Sequence, residues 1–327
     1  GSMAPVEVLG DVVALRFAGD GRRVAVLDAR GAGASWFVDG GKSVREEGGF
    51  RLLDVGYLRG SFVWAERPTE GPVVDAALLG PQGDGLFLTA EAGINLVRRS
   101  GETSPLRGPA AQRSETREAA RFPGAWSPDG SRVAIVGADQ VVRVWSADGQ
   151  SDPPVWRDAS RRSVRAEFRP DGAALLLRGH DGIREVRLDG GPGRALDRPG
   201  LEDSLAAYAP DGSQAAIVGA SGEVLRWTPA SGEVIVEQAL GASQDYDAVM
   251  WSPDGRSLAV VEHVVRVWPL GGQARTLHCE RAKVNHAAWS PDGRWLALGC
   301  ADGSLAIRAA AGEGPTVLLP ASDGGVL

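Results

Sequence analysis

A four-residue phrase ending in Pro-Asp-Gly returns along this chain at a nearly constant interval. It stands as SPDG at 127–130, RPDG at 169–172, APDG at 209–212, SPDG at 252–255 and SPDG at 290–293. Between the aspartates at 129, 171, 211, 254 and 292 the steps are 42, 40, 43 and 38 residues. A period of about 40 residues means one supersecondary unit repeated and stacked, so architecture has to be settled before catalysis is sought.

The surroundings of the phrase repeat as well. An aromatic residue lies three positions before each aspartate: Trp126, Phe168, Tyr208, Trp251 and Trp289. A short apolar run follows each glycine: RVAIVGA, AALLLRG, QAAIVGA, SLAVVEH and WLALGCA. Next come VVRVW (141–145), IREVRL (183–188), EVLRW (223–227), VVRVW (264–268) and LAIR (305–308). Short runs rich in Val and Leu, bounded by Gly, Asp or Ser, predict strands rather than helices. Pro presets the turn, Asp tolerates the next position, and Gly accepts the left-handed conformation from which the second strand starts. Each unit therefore reads strand, Pro-Asp-Gly turn, strand, short turn, strand, and a weaker fourth strand. Four short strands in about 40 residues is the pattern of a propeller blade.

Two further units fit less regularly, around Asp20-Gly21 and Asp84-Gly85. The expectation is an all-β chain forming a single closed β-propeller of seven four-stranded blades. The approximate blades are 13–46, 72–106, 120–158, 162–198, 202–240, 245–278 and 283–320, with an additional strand pair at 50–70. An eight-bladed ring with one irregular blade is the competing count. Both VEVL at 6–9 and TVLLP at 316–320 suit the outer strand of the terminal blade.

The five regular units resemble WD-repeat (WD40) β-propellers, through the SPDG turns and the VRVW strands ending at Trp145 and Trp268. The resemblance implies a surface for binding other proteins, since this family serves many unrelated pathways. Departures from the family pattern are specific. The family's Gly-His pair, about twelve residues before each turn aspartate, is replaced at Arg117, Ala159, Pro199, Ala242 and Glu280. The aspartate of the Trp-Asp pair is replaced by Ser146, Thr228 and Pro269. The turn aspartate between second and third strands survives at Asp139, Asp181 and Asp302. The family's buried Asp-His-Ser/Thr-Trp hydrogen-bond network is therefore expected to be missing, and apolar packing between blades has to carry more of the stability. Divergent bacterial members are the better comparison.

Composition narrows the function classes. No run of about 18 apolar residues is present to span a bilayer. The opening Gly1-Ser2-Met3 reads as a remnant of expression, with no signal peptide after it. Lys42 and Lys283 are the two lysines among 35 basic residues, a bias that points to a GC-rich bacterial genome. A net charge of −7 argues against nucleic acid as a partner. Cys279 and Cys300 favour a reducing compartment over a disulfide framework. In the WD register these two cysteines are neighbours, close to His278 and His286. A metal or redox pair and a pair of buried thiols both remain open there. His180 and His263 read as ordinary turn residues. No nucleophile elbow, phosphate-binding loop or metalloprotease helix motif occurs. The polar segment 100–123 is either a docking loop or a tolerated insertion.

In the family, the loops entering each first strand gather at one face. The register puts Phe122, Arg162, Glu202, Asp245, Asp247, Lys283 and Asn285 there, a rim that alternates in charge and suits a protein partner. The expectation is a non-catalytic, cytoplasmic interaction scaffold or adaptor with a protein partner, without cofactor, metal, nucleic acid or membrane. The alternatives are a lactonase- or hydrolase-like propeller enzyme with a channel metal, and a sensor binding a small ligand or sugar at the channel mouth.

Overall fold

A computed structural model describes residues 12–17, 23–28, 33–37, 73–79, 85–89, 94–97, 103–105, 124–136, 141–146, 155–157, 165–180, 182–202, 204–243, 245–302, 304–311 and 317–319. Among the described residues there are strands and no helix. Phe122, Arg162, the strand pair expected at 50–70 and VEVL at 6–9 lie outside them. The chain divides into two compact units. One comprises residues 1–52 and 236–327, the other residues 53–235.

The strands follow chain order within each sheet. β1 (Val12–Phe17), β2 (Arg23–Asp28) and β3 (Gly33–Phe37) form a three-stranded sheet. β4 (Val73–Leu79), β5 (Gly85–Thr89), β6 (Ile94–Val97) and β7 (Thr103–Pro105) form a four-stranded one. β8 (Gly124–Trp126), β9 (Arg132–Val136), β10 (Val141–Ser146) and β11 (Trp156–Arg157) repeat the pattern. So do β12 (Arg165–Phe168), β13 (Ala174–Gly179), β14 (Gly182–Arg187) and β15 (Arg194–Leu196). β16 (Leu205–Tyr208), β17 (Ala215–Val218), β18 (Glu223–Thr228) and β19 (Glu233–Ala239) follow. Then come β20 (Ala248–Trp251), β21 (Ser257–Val261), β22 (Val265–Pro269) and β23 (Arg275–Leu277). β24 (Val284–Trp289), β25 (Trp295–Cys300), β26 (Leu305–Ala309) and β27 (Val317–Leu319) complete the series. Several four-stranded antiparallel sheets thus come from one repeated up-and-down hairpin chemistry.

The Pro-Asp-Gly turn closes the first hairpin of each of the five regular sheets. Its glycines, Gly130, Gly172, Gly212, Gly255 and Gly293, all have φ between 69° and 72°. There a Cβ would be strained. Where serine opens the phrase, its hydroxyl has a second task. Ser252 Oγ donates to Asp254 Oδ1 at 2.5 Å and accepts from the Ser257 N–H at 2.9 Å. Ser127 and Ser290 do the same toward Asp129 and Asp292. These serines are buried. At 169 an arginine takes the place of serine and its Nε bonds Asp171 directly at 2.9 Å.

The core lies in the seams between successive sheets. Within the second unit, Phe168 and Leu175 pack on Ala134, Val136, Val142 and Val144 of the preceding sheet. Tyr208, Ala206 and Leu225 pack likewise with Leu176, Ile183 and Leu196. Within the first unit, Leu296 and Leu298 join Ala259, Val261, Val265 and Val267, and Trp289 packs against them. Also within that unit, β1 lies against β24 and β25. Trp126, Phe168, Tyr208 and Trp251 are buried, as their shared repeat position predicts, and Trp289 is half-buried. Each large side chain removed from water contributes about 1.5–3 kcal/mol.

Trp145 and Trp268 are fully buried at the ends of β10 and β22, and their indole N–H groups find no acceptor among the described residues. The Trp289 N–H is in the same position. Tyr208 and Glu185 form a buried polar link in the second unit. The Tyr208 hydroxyl donates to Glu185 Oε2 at 2.8 Å, and burial together with that carboxylate raises its pKa.

The turn geometry carries a prediction. The Ser127 and Ser131 hydrogen bonds hold the Asp129 carboxyl down to about 2, and serine bonds depress Asp254 and Asp292 in the same way. A depressed carboxyl stabilises the fold above its unfolded pKa, about 3.9, and loses that contribution as pH falls through the folded value. Thermal melts followed by circular dichroism are expected to lose midpoint steadily between pH 4 and pH 2. Ser252→Ala is expected to cost about 1–2 kcal/mol at pH 7, because it leaves the half-buried Ser257 N–H without its acceptor, and to flatten that acid slope.

Candidate functional site

Residues expected at the loop face fall on both units, and each unit is taken alone. In the second, Glu202 is exposed on the loop entering β16. That loop is fixed by Ser204, whose hydroxyl donates to the Leu201 carbonyl at 2.7 Å. In the first, Asp245 and Asp247 precede β20, while Lys283 and Asn285 mark the start of β24. The Asp247 N–H donates to the Val261 carbonyl at 2.8 Å, which ties this loop to the end of β21. Asn285 is half-buried at the point where the register between β24 and β25 shifts, between Val284 and His286. An irregularity of this kind turns a side chain out of the pleat.

The structure brings Asp245 and Lys283 to one histidine. His263, in the tight turn between β21 and β22, has its Nε2 3.4 Å from Asp245 Oδ2 and 3.3 Å from Lys283 Nζ. A neutral ring accepts from the lysine there, whereas a protonated ring donates to the aspartate. Backbone bonds set the meeting point. The Val284 N–H donates to the His263 carbonyl at 2.9 Å, and the Ala301 N–H donates to the Lys283 carbonyl at 2.9 Å.

Beside this trio, Glu262 accepts from the Ser243 hydroxyl at 2.6 Å and from Arg266 Nη1 at 3.0 Å. The Ser243 bond and the Arg266 charge hold its carboxyl below the usual range. The Tyr246 hydroxyl donates to the Gly241 carbonyl, and burial pushes its pKa up. On β24, burial pulls His286 down. The result is an exposed patch of alternating charge on a backbone that hydrogen bonds hold in place. His263 was read from sequence as a plain turn residue. The repeat register was the signal that could have singled it out, because it lays the turn between second and third strands beside the loop entering the next first strand.

The cysteines require a correction. The sequence favours a reducing compartment and leaves a metal or redox pair and a pair of buried thiols open, whereas Cys279 and Cys300 form a disulfide with Cα atoms 6.0 Å apart. Both are buried, and the bond staples the segment after β23 to the end of β25. Among the described residues no group of three or more His, Cys, Asp or Glu side chains is arranged to hold a metal ion.

The WD40 family model, described as WD domain, G-beta repeat, matches residues 125–146 and 271–307. These two stretches of the chain carry the WD repeat. The matched stretches contain two of the serine-opened turns and the third strand ending in Trp145. Among curated relatives, the Intraflagellar transport protein 122 homolog of Mus musculus is 27% identical over 177 residues, which is 48% of this chain and 13% of that protein. Its Homo sapiens counterpart is 26% identical over 177 residues, with the same shares. The Uncharacterized peptidase YuxL of Bacillus subtilis (strain 168) is 24% identical over 191 residues, 52% of this chain and 28% of that protein. The chain thus spans 13% of the length of the first two relatives.

The disulfide is directly testable. Alkylation before and after reduction, read by mass spectrometry, is expected to find two cysteines blocked until reductant is added. Closing a loop of 21 residues is worth about 2–4 kcal/mol, so reduction is expected to lower the denaturant midpoint correspondingly.

Proposed function

We propose that this WD-repeat chain is a rigid interaction module whose loop face docks a protein partner. The observation that carries the reading is the Asp245–His263–Lys283 patch, in which exposed side chains of both signs sit on loops held by backbone hydrogen bonds. Fixed loops reduce the ordering cost of binding, and charges of both signs set register and suppress wrong partners. Glu202, Asp247 and Asn285 belong to the proposed face, together with Phe122 and Arg162 beyond the described residues. The proposal includes closure of the sheets into one seven-bladed ring, with blades near the boundaries expected from sequence. The packing of β1 on β24 and β25 favours it. A bacterial source fits both the scarcity of lysine and the Bacillus subtilis relative. The Cys279–Cys300 bond argues for an oxidising compartment rather than the expected cytoplasm. No described helix is long and apolar enough to cross a membrane.

A second reading has one observation behind it, the relative named as a peptidase. The matched part is 28% of that protein, and we assign the hydrolytic activity to neither this chain nor its loop face.

Affinity capture from the native host tests the docking face. Asp245→Lys and His263→Ala are expected to change stability by less than about 1 kcal/mol, as exposed ion pairs do, and to reduce recovery of the captured protein at least tenfold. Capture unchanged in both variants, with the fold intact, contradicts the assignment of this face.

A further inference from the structure

The Cys279–Cys300 bond adjoins the charged patch of the first unit. Cys300 stands opposite Val284 in the register of β24 with β25. Val284 follows Lys283 in the chain, and its N–H donates to the His263 carbonyl at 2.9 Å. The Lys283 carbonyl accepts from the N–H of Ala301, the residue after Cys300, at 2.9 Å. The disulfide is thus one residue away, on both strands, from the lysine whose Nζ lies 3.3 Å from His263 Nε2.

The two cysteines are held differently. Cys300 ends β25, and its N–H donates to the Ser304 carbonyl at 2.9 Å. Cys279 lies in the loop 278–283 between β23 and β24. At one end of that loop the His278 carbonyl accepts from Arg308 Nη2 at 3.0 Å, and at the other the Lys283 carbonyl accepts from Ala301. From Cys279 to Ala282 no backbone hydrogen bond forms among the described residues. The middle of the loop is therefore held by the covalent bond and by Ala282, which packs on the seam. His278, Glu280, Arg281 and Lys283 are exposed around it. The seam itself does not need the bond to stay filled. Leu277, Val284, Leu296 and Leu298 share it with both cysteines, and a free thiol packs there as a small apolar side chain. Opening the bond frees a charged loop and leaves the core in place.

We propose that Cys279 and Cys300 form a redox latch on the docking face. Oxidised, the pair holds loop 278–283 and keeps Lys283 beside His263. Reduction by a dithiol releases the loop, and the patch loses the fixed position of its lysine. The exchange begins at Cys279, 7% exposed against 1% for Cys300. A thiolate of the reductant attacks Cys279 Sγ, the bond between the two cysteines breaks, and Cys300 leaves as a thiolate and takes up a proton. The second thiol of the reductant then attacks its own sulfur in the mixed disulfide. Cys279 leaves as a thiolate and is protonated in turn, and the reductant departs as a disulfide. Two electrons and two protons have passed from the dithiol to the pair. The inference rests on the interaction-module reading only for its consequence, the weakening of partner docking; the latch is a property of the loop.

The test is hydrogen exchange of the full chain, read by mass spectrometry, with the bond intact and after treatment with dithiothreitol in native buffer. Alkylation of a parallel sample counts the open thiols. Labelling lasts minutes, so that local opening is read before global unfolding contributes. Dithiothreitol is expected to open the bond without denaturant, and the amides of residues 279–284 are expected to exchange at least tenfold faster. Those of β21 and β25 are expected to stay protected. Cys279→Ser is expected to show the fast loop with or without dithiothreitol, and Cys300→Ala to do the same. A bond that opens only in urea overturns the latch, as does a loop whose exchange is unchanged once both thiols are open. Faster exchange across β20 to β27 assigns the bond a structural role and also overturns it. Partner capture with Asp245→Lys and His263→Ala is compared with the bond intact, so the latch and the docking face fail separately.

Discussion

Apolar side chains, joined in one seam by the Tyr208–Glu185 hydrogen bond, close the seams between successive sheets. Leu176, Ile183, Ala206 and Leu225 fill one, and Val261, Val267, Leu296 and Leu298 fill another. A single sheet of four short strands cannot bury its own faces, so each depends on the next for stability. Because the seams are apolar, they constrain shape through packing volume rather than bond direction. The buried N–H groups of Trp145 and Trp268, which find no acceptor among the described residues, show the consequence. These indoles are kept for their bulk, at a cost that the surrounding packing has to exceed.

Turn chemistry acts at the sheet ends and is independent of the seams. The left-handed glycine, the aspartate and, at three turns, a buried serine fix where each hairpin reverses. With both strands of the hairpin fixed, the segments at the opposite end are held as well. That is how a backbone bond brings the His263 turn to the start of β24, and how the Arg178 side chain reaches the Ser204 carbonyl. Loops held in this way present charge in a constant arrangement, the property an interaction surface needs.

The repeated sheets were legible in the sequence because their signals are local. Pro-Asp-Gly specifies its own turn, and alternating short apolar runs specify their own strands. Other features depend on pairings between distant positions. His263 became part of a site only when Asp245 and Lys283 were placed beside it. The bond between Cys279 and Cys300 needed the relation between two sheets. Arg178 follows three leucines and looks like the polar end of a strand. Its place opposite Arg165, where Val218 faces Leu205 and Val261 faces Ala248, appears only in the register.

The decisive measurement is the unfolding free energy of a Trp145→Phe, Trp268→Phe double variant in urea. Apolar seams predict a small net change, within about 2 kcal/mol for the pair, because the lost volume is offset by removal of two unsatisfied donors. A loss above about 5 kcal/mol, more than the shed volume and two neutral hydrogen bonds account for, would mean that these indoles brace a polar network, and would contradict the account.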